Sequence, residues 1–305
     1  MRRVTKLLLA CLVLVPAALI RAETMRLDLV LSDSSLPYRQ FADSFHNALT
    51  AGLGDVKVKE TSEILRGEAD YYVAVGMKAA ELALSQADKP IIVAMVPEAS
   101  YREMLEHSSR QETWRVASVI FINQPWNRLL AFVRAAMPGR NRMGLLYATD
   151  LHIGLDHLRT EIAVYGGKLV AHQVDAQNHL FADLESVLDD SDYLLAIPDS
   201  SLYSSSNIRN ILLTSYRHRV PVVGISKSYV KAGAVCAIFS TPEQLGRQAA
   251  RTVLSVLRGQ HLHAEQYSSE YSIEYNEQVA RSLGIELPPL EQVYEKLGGN
   301  GRSEP

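Results

Sequence analysis

The chain has 305 residues, 47% of them hydrophobic and 21% charged, and a formal net charge of −3. Those fractions exclude a disordered or low-complexity chain, and the length suits two domains of about 100–150 residues each. An acidic balance without a lysine or arginine cluster excludes a nucleic-acid binder of the usual basic kind.

At the N-terminus Arg2, Arg3 and Lys6 precede an apolar run from Leu7 to Ile20, and the next small residue is Ala22. This pattern predicts a signal peptide over residues 1–22, too short in its apolar part to span a membrane comfortably, and a mature protein in the periplasm. Leu8-Leu9-Ala10-Cys11 has the form of a lipobox, but the apolar run continues to Ile20, so lipid anchoring is not expected. Cleavage removes Arg2, Arg3, Lys6 and Arg21 and no acid, which leaves −7. The mature chain keeps only Cys236 and therefore has no internal disulfide.

From there strand and helix patterns alternate. Arg26–Asp33 reads as a strand, Tyr38–Ala51 as an amphipathic helix with Phe41, Phe45, Ala48 and Leu49 on one face, and Val56–Glu60 as a short strand. Ala69–Gly76 is a buried strand, Lys78–Ala87 a helix and Pro90–Val96 an apolar strand. Arg115–Gln124 is extended, and Trp126–Met137 is a helix ended by Pro138-Gly139. The alternation then restarts: strand Arg142–Thr149, helix Leu151–Tyr165, strand Lys168–Val174, helix His179–Leu188 and strand Tyr193–Pro198. Helix Asn207–Arg219 and strands Pro221–Ser226 and Ala234–Phe239 follow. Thr241–Arg258 is a long helix whose Thr241-Pro242-Glu243 opening suits an N-cap and first turn. Near-continuous apolar strands separated by helices imply parallel sheets covered on both faces. Two such wraps in series, without a Gly/Ser linker, predict two lobes joined by ordered hinge strands, the first crossover at Ile122–Pro125. A flexible tail is expected over 291–305.

Catalytic and metal signatures are weak. His261 and His263, with Glu265 near, form a close pair on a loop and read as a solvated stretch, while His152 and His157 stand five apart on a helix, off the same-face spacing. Gly224-Ile225-Ser226-Lys227-Ser228 lacks the closing glycine of a nucleophile elbow. No phosphate-loop lysine motif or dinucleotide fingerprint is present, so no cofactor, metal or enzymatic activity is expected. The strand ends are a different matter. Ligands of open parallel sheets sit beyond the carboxyl ends of the strands. Those positions here are small and polar: Ser34 and Ser35 after Asp33, Gly76 and Met77, Thr149, Asp199-Ser200-Ser201, and Ser226. Each serine could instead cap its helix.

The second half then resembles a known family. Asp199-Ser200-Ser201-Leu202-Tyr203 through Asn207-Ile208, Arg219–Gly224, Val230-Lys231-Ala232-Gly233-Ala234 and Thr241–Ala250 are similar to the ABC-transporter substrate-binding family related to tryptophan/tyrosine-binding lipoproteins. Leu257-Arg258-Gly259, Asn276–Ala280 and Leu283-Gly284-Ile285 extend the likeness over most of residues 140–290, and Val75-Gly76 with Pro90–Val93 carries it more thinly into the first half. The resemblance implies an α/β fold of periplasmic binding protein type I, with two Rossmann-like lobes whose parallel sheets are joined by hinge strands. Lobe 1 would hold residues 23–124 and about 240–265, and lobe 2 residues 125–239 and about 266–290. It also implies capture of a small molecule by hinge closure, an aromatic amino acid by analogy, for an ABC permease. On that reading Asp199 meets an amine, Ser200, Ser201 and Ser226 donate hydroxyls, and Tyr203 and Met77 form apolar walls. A sensor module for a membrane receptor or histidine kinase, or an exported hydrolase, remains open at this point.

Overall fold

The computed structural model describes residues 24–52, 56–148, 154–174, 180–199, 201–204 and 206–298. The expected signal segment 1–22, Thr149 and Ser200 lie outside the described residues. No described helix is long and apolar enough to cross a membrane.

In chain order the first half contains β1 (Met25–Leu31), α1 (Leu36–Gly52), β2 (Val56–Thr61), β3 (Tyr71–Val75), α2 (Met77–Gln86), β4 (Ile91–Val96), α3 (Glu98–Glu106), α4 (Arg110–Thr113) and β5 (Val116–Phe121). The second contains α5 (Trp126–Ala136), β6 (Arg142–Ala148), α6 (Leu155–Val164), β7 (Lys168–Val174), α7 (Leu180–Asp189), β8 (Tyr193–Leu195), α8 (Ile208–Arg217), β9 (Val222–Gly224), α9 (Lys227–Ala232) and β10 (Cys236–Phe239). After these come α10 (Pro242–Leu257), β11 (Glu265–Tyr267), β12 (Ser272–Tyr275), α11 (Glu277–Ser282) and α12 (Leu290–Lys296).

The strands make two six-stranded sheets of the same design, β2-β1-β3-β4-β5-β11 and β7-β6-β8-β9-β10-β12. Every pairing is parallel except that of β12 with β10. Each sheet therefore begins in its middle, winds one way to β2 or β7, and reverses to the other side. The reversal leaves a crevice beyond the strand ends between β1 and β3, and again between β6 and β8.

Alternation along the strands of the first sheet sorts its side chains. Leu27, Leu29, Val73, Val75, Ile92 and Ala94 pack under Phe41, Phe45 and Leu49 of α1 and Leu245, Ala249 and Val253 of α10. Val30, Tyr72, Ala74, Ile91 and Val93 face the other way, onto Ala79, Ala80 and Ala83 of α2 and Tyr101 of α3. A fully buried aromatic or leucine here contributes about 1.5–3 kcal/mol relative to leaving it in water. Helix α10 reaches α1 closely because Gly246 has no side chain: a Cβ there would collide with the Phe41 carbonyl. The capping box foreseen at Thr241 is present, with Gln244 N–H donating to Thr241 Oγ1 at 3.3 Å and Thr241 N–H donating to Gln244 Oε1 at 2.9 Å.

The second sheet sits in one continuous core that includes Phe132, Leu145, Leu194, Val223 and Cys236. The chain passes between the sheets three times, at residues 122–125, 240–241 and 268–271. The flexible tail expected from residue 291 does not begin there. Residues 290–296 form α12, because Val293 is fully buried in the second core and Tyr294 stacks on Tyr271 with ring centroids 5.9 Å apart.

Candidate functional site

Between the two sheets lies a cavity of about 280 Å³, lined from both sides. Met95, Ile122 and Leu245 face it from the first lobe, and Leu129, Ile197, Pro198, Ile225 and Phe239 from the second. It adjoins a more open cavity of about 540 Å³. Glu98, Asn123, Trp126, Ile197, Pro198 and Tyr267 line both. Most of these residues stand at or just beyond the carboxyl ends of strands, where a parallel α/β sheet receives its ligand.

Local backbone explains several placements. The register of β4 against β5 shifts between Ala94 and Val96, so Met95 is the bulged residue, and its φ of 57° lies in the left-handed region. Such a bulge re-aims a side chain at the edge of a site. Pro125 is extended and directly precedes α5, whose first residue is Trp126, so the indole stands where the crossover meets the second lobe.

The polar residues form two linked groups. At the first lobe's wall the backbone N–H of Glu98 donates to Asn123 Oδ1 at 2.8 Å, a cap for α3 supplied from the crossover because Pro97 has no side-chain donor or acceptor to offer. The Glu98 carboxylate accepts Arg102 Nη2 at 2.7 Å on one oxygen and the Tyr267 hydroxyl at 2.6 Å on the other. Arg102 also grips Glu265 through Nη1 at 3.1 Å and Nη2 at 2.9 Å. The carboxylates of Glu265 and Glu98 raise the Arg102 guanidinium further above its ordinary range. Burial, then the bond to Glu98, pushes the Tyr267 phenol up, which holds it as a neutral donor.

The second group ties the crossovers together. Gln124 Nε2 donates to Ser240 Oγ at 2.8 Å, and the Ser240 hydroxyl donates to the Glu270 carbonyl at 2.8 Å. Arg128 Nη1 donates to Gln124 Oε1 at 2.6 Å and to the Ser268 carbonyl at 2.8 Å, with its guanidinium 4.7 Å from the Tyr271 ring centroid. The third crossover is anchored to α10 by Arg247 and Arg251, both bonded to the Glu270 carboxylate, at 3.0 Å from Arg247 Nε and 2.7 Å from Arg251 Nη1.

Of the residues singled out from sequence, Ser226 lines the inter-lobe cavity, with its hydroxyl 2.7 Å from that of Ser228. Asp199 is buried and committed internally. One oxygen accepts Ala148 N–H at 3.1 Å, and the other accepts Ser201 N–H, Ser201 Oγ and Leu202 N–H at 2.9, 2.6 and 3.1 Å. Three of these bonds fall on Oδ1 and one on Oδ2, so the carboxylate first serves the turn after β8 and keeps acceptor capacity on Oδ2 alone. Tyr203 is buried in the second core rather than forming a cleft wall, and its carbonyl accepts the Tyr229 hydroxyl at 2.7 Å. Met77 packs against the first core and lines a groove with Met104 and His107, away from both inter-lobe cavities. Gly76, φ 86°, takes a conformation only glycine adopts easily, and a Cβ would meet Ser32 Oγ and Tyr38 OH at 2.6 Å. Ser34 and Ser35 are exposed beside it, Ser35 N–H donating to Asp33 Oδ1 at 2.7 Å, and Ser201 is exposed on the second lobe. Glu265, the third residue of the metal alternative at His261 and His263, is ion-paired with Arg102.

Glu98, Arg102, Asn123, Trp126 and Tyr267 had no sequence signal as site residues. The one available hint was an aromatic at the first position of a helix immediately after a predicted crossover.

The family model described as ABC transporter substrate binding protein matches residues 54–294. Among similar solved structures is the ABC domain in complex with L-Trp from Streptococcus pneumonia, with a TM-score of 0.62 at 16% identity over 89% of this chain and 99% of that one. A conserved domain protein from Vibrio cholerae gives a TM-score of 0.61 at 18% identity over 90% and 98%. The ligand-free, open structure of CD0873, a substrate binding protein with adhesive properties from Clostridium difficile, gives 0.61 at 16% over 88% and 97%. No curated protein matches. At these identities the likeness is one of fold, the two-lobed α/β fold of type I periplasmic binding proteins.

Proposed function

Since the chain belongs to the ABC transporter substrate-binding family, we propose that it captures a small solute between its lobes by hinge closure and presents it to an ABC permease. It acts as a binding protein in the periplasm and not as an enzyme. The observation that carries this reading is the mostly apolar cavity shared by both lobes and set against three crossovers. Contacts from two lobes at once exist only when the cleft is shut, so a solute that makes them shifts the population towards closure. The basic and apolar N-terminal pattern supports export. Residues 23–124 with about 240–265 and 125–239 with about 266–290 act as the two moving bodies. Ser226 and the exposed Ser34, Ser35 and Ser201 supply polar contacts as the cleft narrows, and Gly76 holds the turn beside Ser32 that positions Ser34 and Ser35.

The test is small-angle scattering of the mature protein with and without amino acids, sugars and amines, paired with calorimetry. A bound solute should lower the radius of gyration. Saturable binding with no compaction would overturn hinge closure, and turnover of a bound solute would overturn the non-enzymatic assignment.

A further inference from the structure

Among the described residues, the buried side-chain polar atoms without a hydrogen-bond partner belong to Asp28, Arg115, Glu161, Ser215, Tyr271 and Tyr275. Of these residues only Glu161 lines an inter-lobe cavity. It projects from α6 of the second lobe. Its Oε1 lies 3.4 Å from His157 Nε2, and its Oε2 is buried and unpartnered. A buried carboxylate oxygen without a donor is costly, and cavities that bind ligands are where such a cost is relieved. The side chain is 26% exposed and lines the cavity, so its carboxylate is within reach of a bound solute.

The opposite wall is also acidic. Arg102 neutralises one of its two partners, Glu98 and Glu265, so that trio keeps one negative charge in excess. Between the walls stand the Trp126 indole and the Tyr267 ring, surfaces that attract a cation through their faces. An anion placed there would meet Glu161 on one side and the net negative charge of Glu98, Arg102 and the Glu265 behind them on the other, and a neutral polyol could donate a hydroxyl to Glu161 but would bring no positive charge to offset it.

We infer that the captured solute carries a cationic nitrogen beside an apolar body, and that Glu161 is the residue that selects for it. The cation reaches Glu161 in the wider cavity while the apolar part fills the narrower one past Trp126. This rests on the capture reading above and assigns it a solute class.

The test uses one ring system in four charge states: tryptamine, L-tryptophan, indole-3-ethanol and indole-3-acetate, titrated calorimetrically into the mature protein. Tryptamine should bind about tenfold or more tighter than the alcohol, as expected for a charge-assisted hydrogen bond. Glu161→Gln should bring tryptamine down to the affinity of the alcohol while leaving the alcohol and the melting temperature nearly unchanged. Tryptamine that fails to bind, or binds no tighter than the alcohol or the acetate, overturns the inference, as does an unchanged tryptamine affinity in Glu161→Gln. Scattering separates the two readings. Compaction by a neutral or anionic solute but not by tryptamine leaves capture standing and removes the cation. Saturable binding without compaction removes hinge closure itself.

Discussion

Gln124 and Ser240 are 116 positions apart in the chain, yet Gln124 Nε2 donates to Ser240 Oγ at 2.8 Å, joining the first crossover to the second. Ser240 passes the chain on to Glu270 in the third crossover, and Arg128 closes it from Gln124 to Ser268. Three separate strands of backbone are thus held as one hinge by side chains that are largely shielded from water.

Gln124→Ala removes the shared partner of Ser240 and Arg128 and leaves the half-buried guanidinium short of an acceptor. A loss of about 1–3 kcal/mol is expected, the range for leaving a buried polar partner unsatisfied. Urea unfolding measures it. Unchanged stability would mean that the crossovers are held by packing alone.

Asp199→Ala deletes the acceptor of four internal hydrogen bonds that join the end of β6 to the turn after β8. A loss of about 2–4 kcal/mol is expected, near the upper range for single substitutions that break a buried network. Ligand affinity extrapolated to the folded fraction should stay within about threefold of wild type, a change of under 1 kcal/mol. A large affinity loss at undiminished stability would restore Asp199 as a direct contact.

Gly246→Ala places a methyl group against the Phe41 carbonyl where α10 crosses α1. The backbone must separate to admit it, and overpacking of this kind costs about 1–3 kcal/mol despite the better helix propensity of alanine. Thermal unfolding should show a lower midpoint; a higher one would show that the helices shift without penalty.

Cys236 is fully buried, and burial alone pushes its thiol well above the ordinary range. Native protein should therefore resist thiol reagents at neutral pH and react at the rate of unfolding. Rapid stoichiometric labelling without denaturant would contradict the burial.

Acid should destabilise the protein through Asp192 and Glu270. Burial raises each carboxyl, but bonds from Arg142 and Asn141 to Asp192, and from Arg247 and Arg251 to Glu270, outweigh it and leave both below their ordinary values. A depressed folded pKa means that the unfolded chain binds protons first. The stabilisation is therefore present above the unfolded value, about pH 4, and is lost as pH falls through the folded one. Unfolding midpoints between about pH 2 and 7 should fall on the acid side, less steeply in Asp192→Asn. Equal slopes would remove Asp192 from the account.

What the sequence determined by itself was the part of the structure written in local periodicity and in short-range chemistry. Apolar runs such as Ile91–Val96 and Met143–Leu146 specify buried parallel strands, and Thr241 with Gln244 specifies a helix start four residues long. Helix α3 escaped that reading because Tyr101 is its one buried anchor, so its apolar period is faint. The strand-end rule led to Asp199 and Tyr203, since capping a turn and touching a ligand call for the same small polar residues. Only the tertiary structure separated those uses. It committed Asp199 to four internal hydrogen bonds, brought Glu98 beside Tyr267 across 169 positions, and set Glu161 and Arg102 on the lining of one cavity. Those relations depend on how two sheets are placed by three distant crossovers, and no local spacing in the chain encodes that placement.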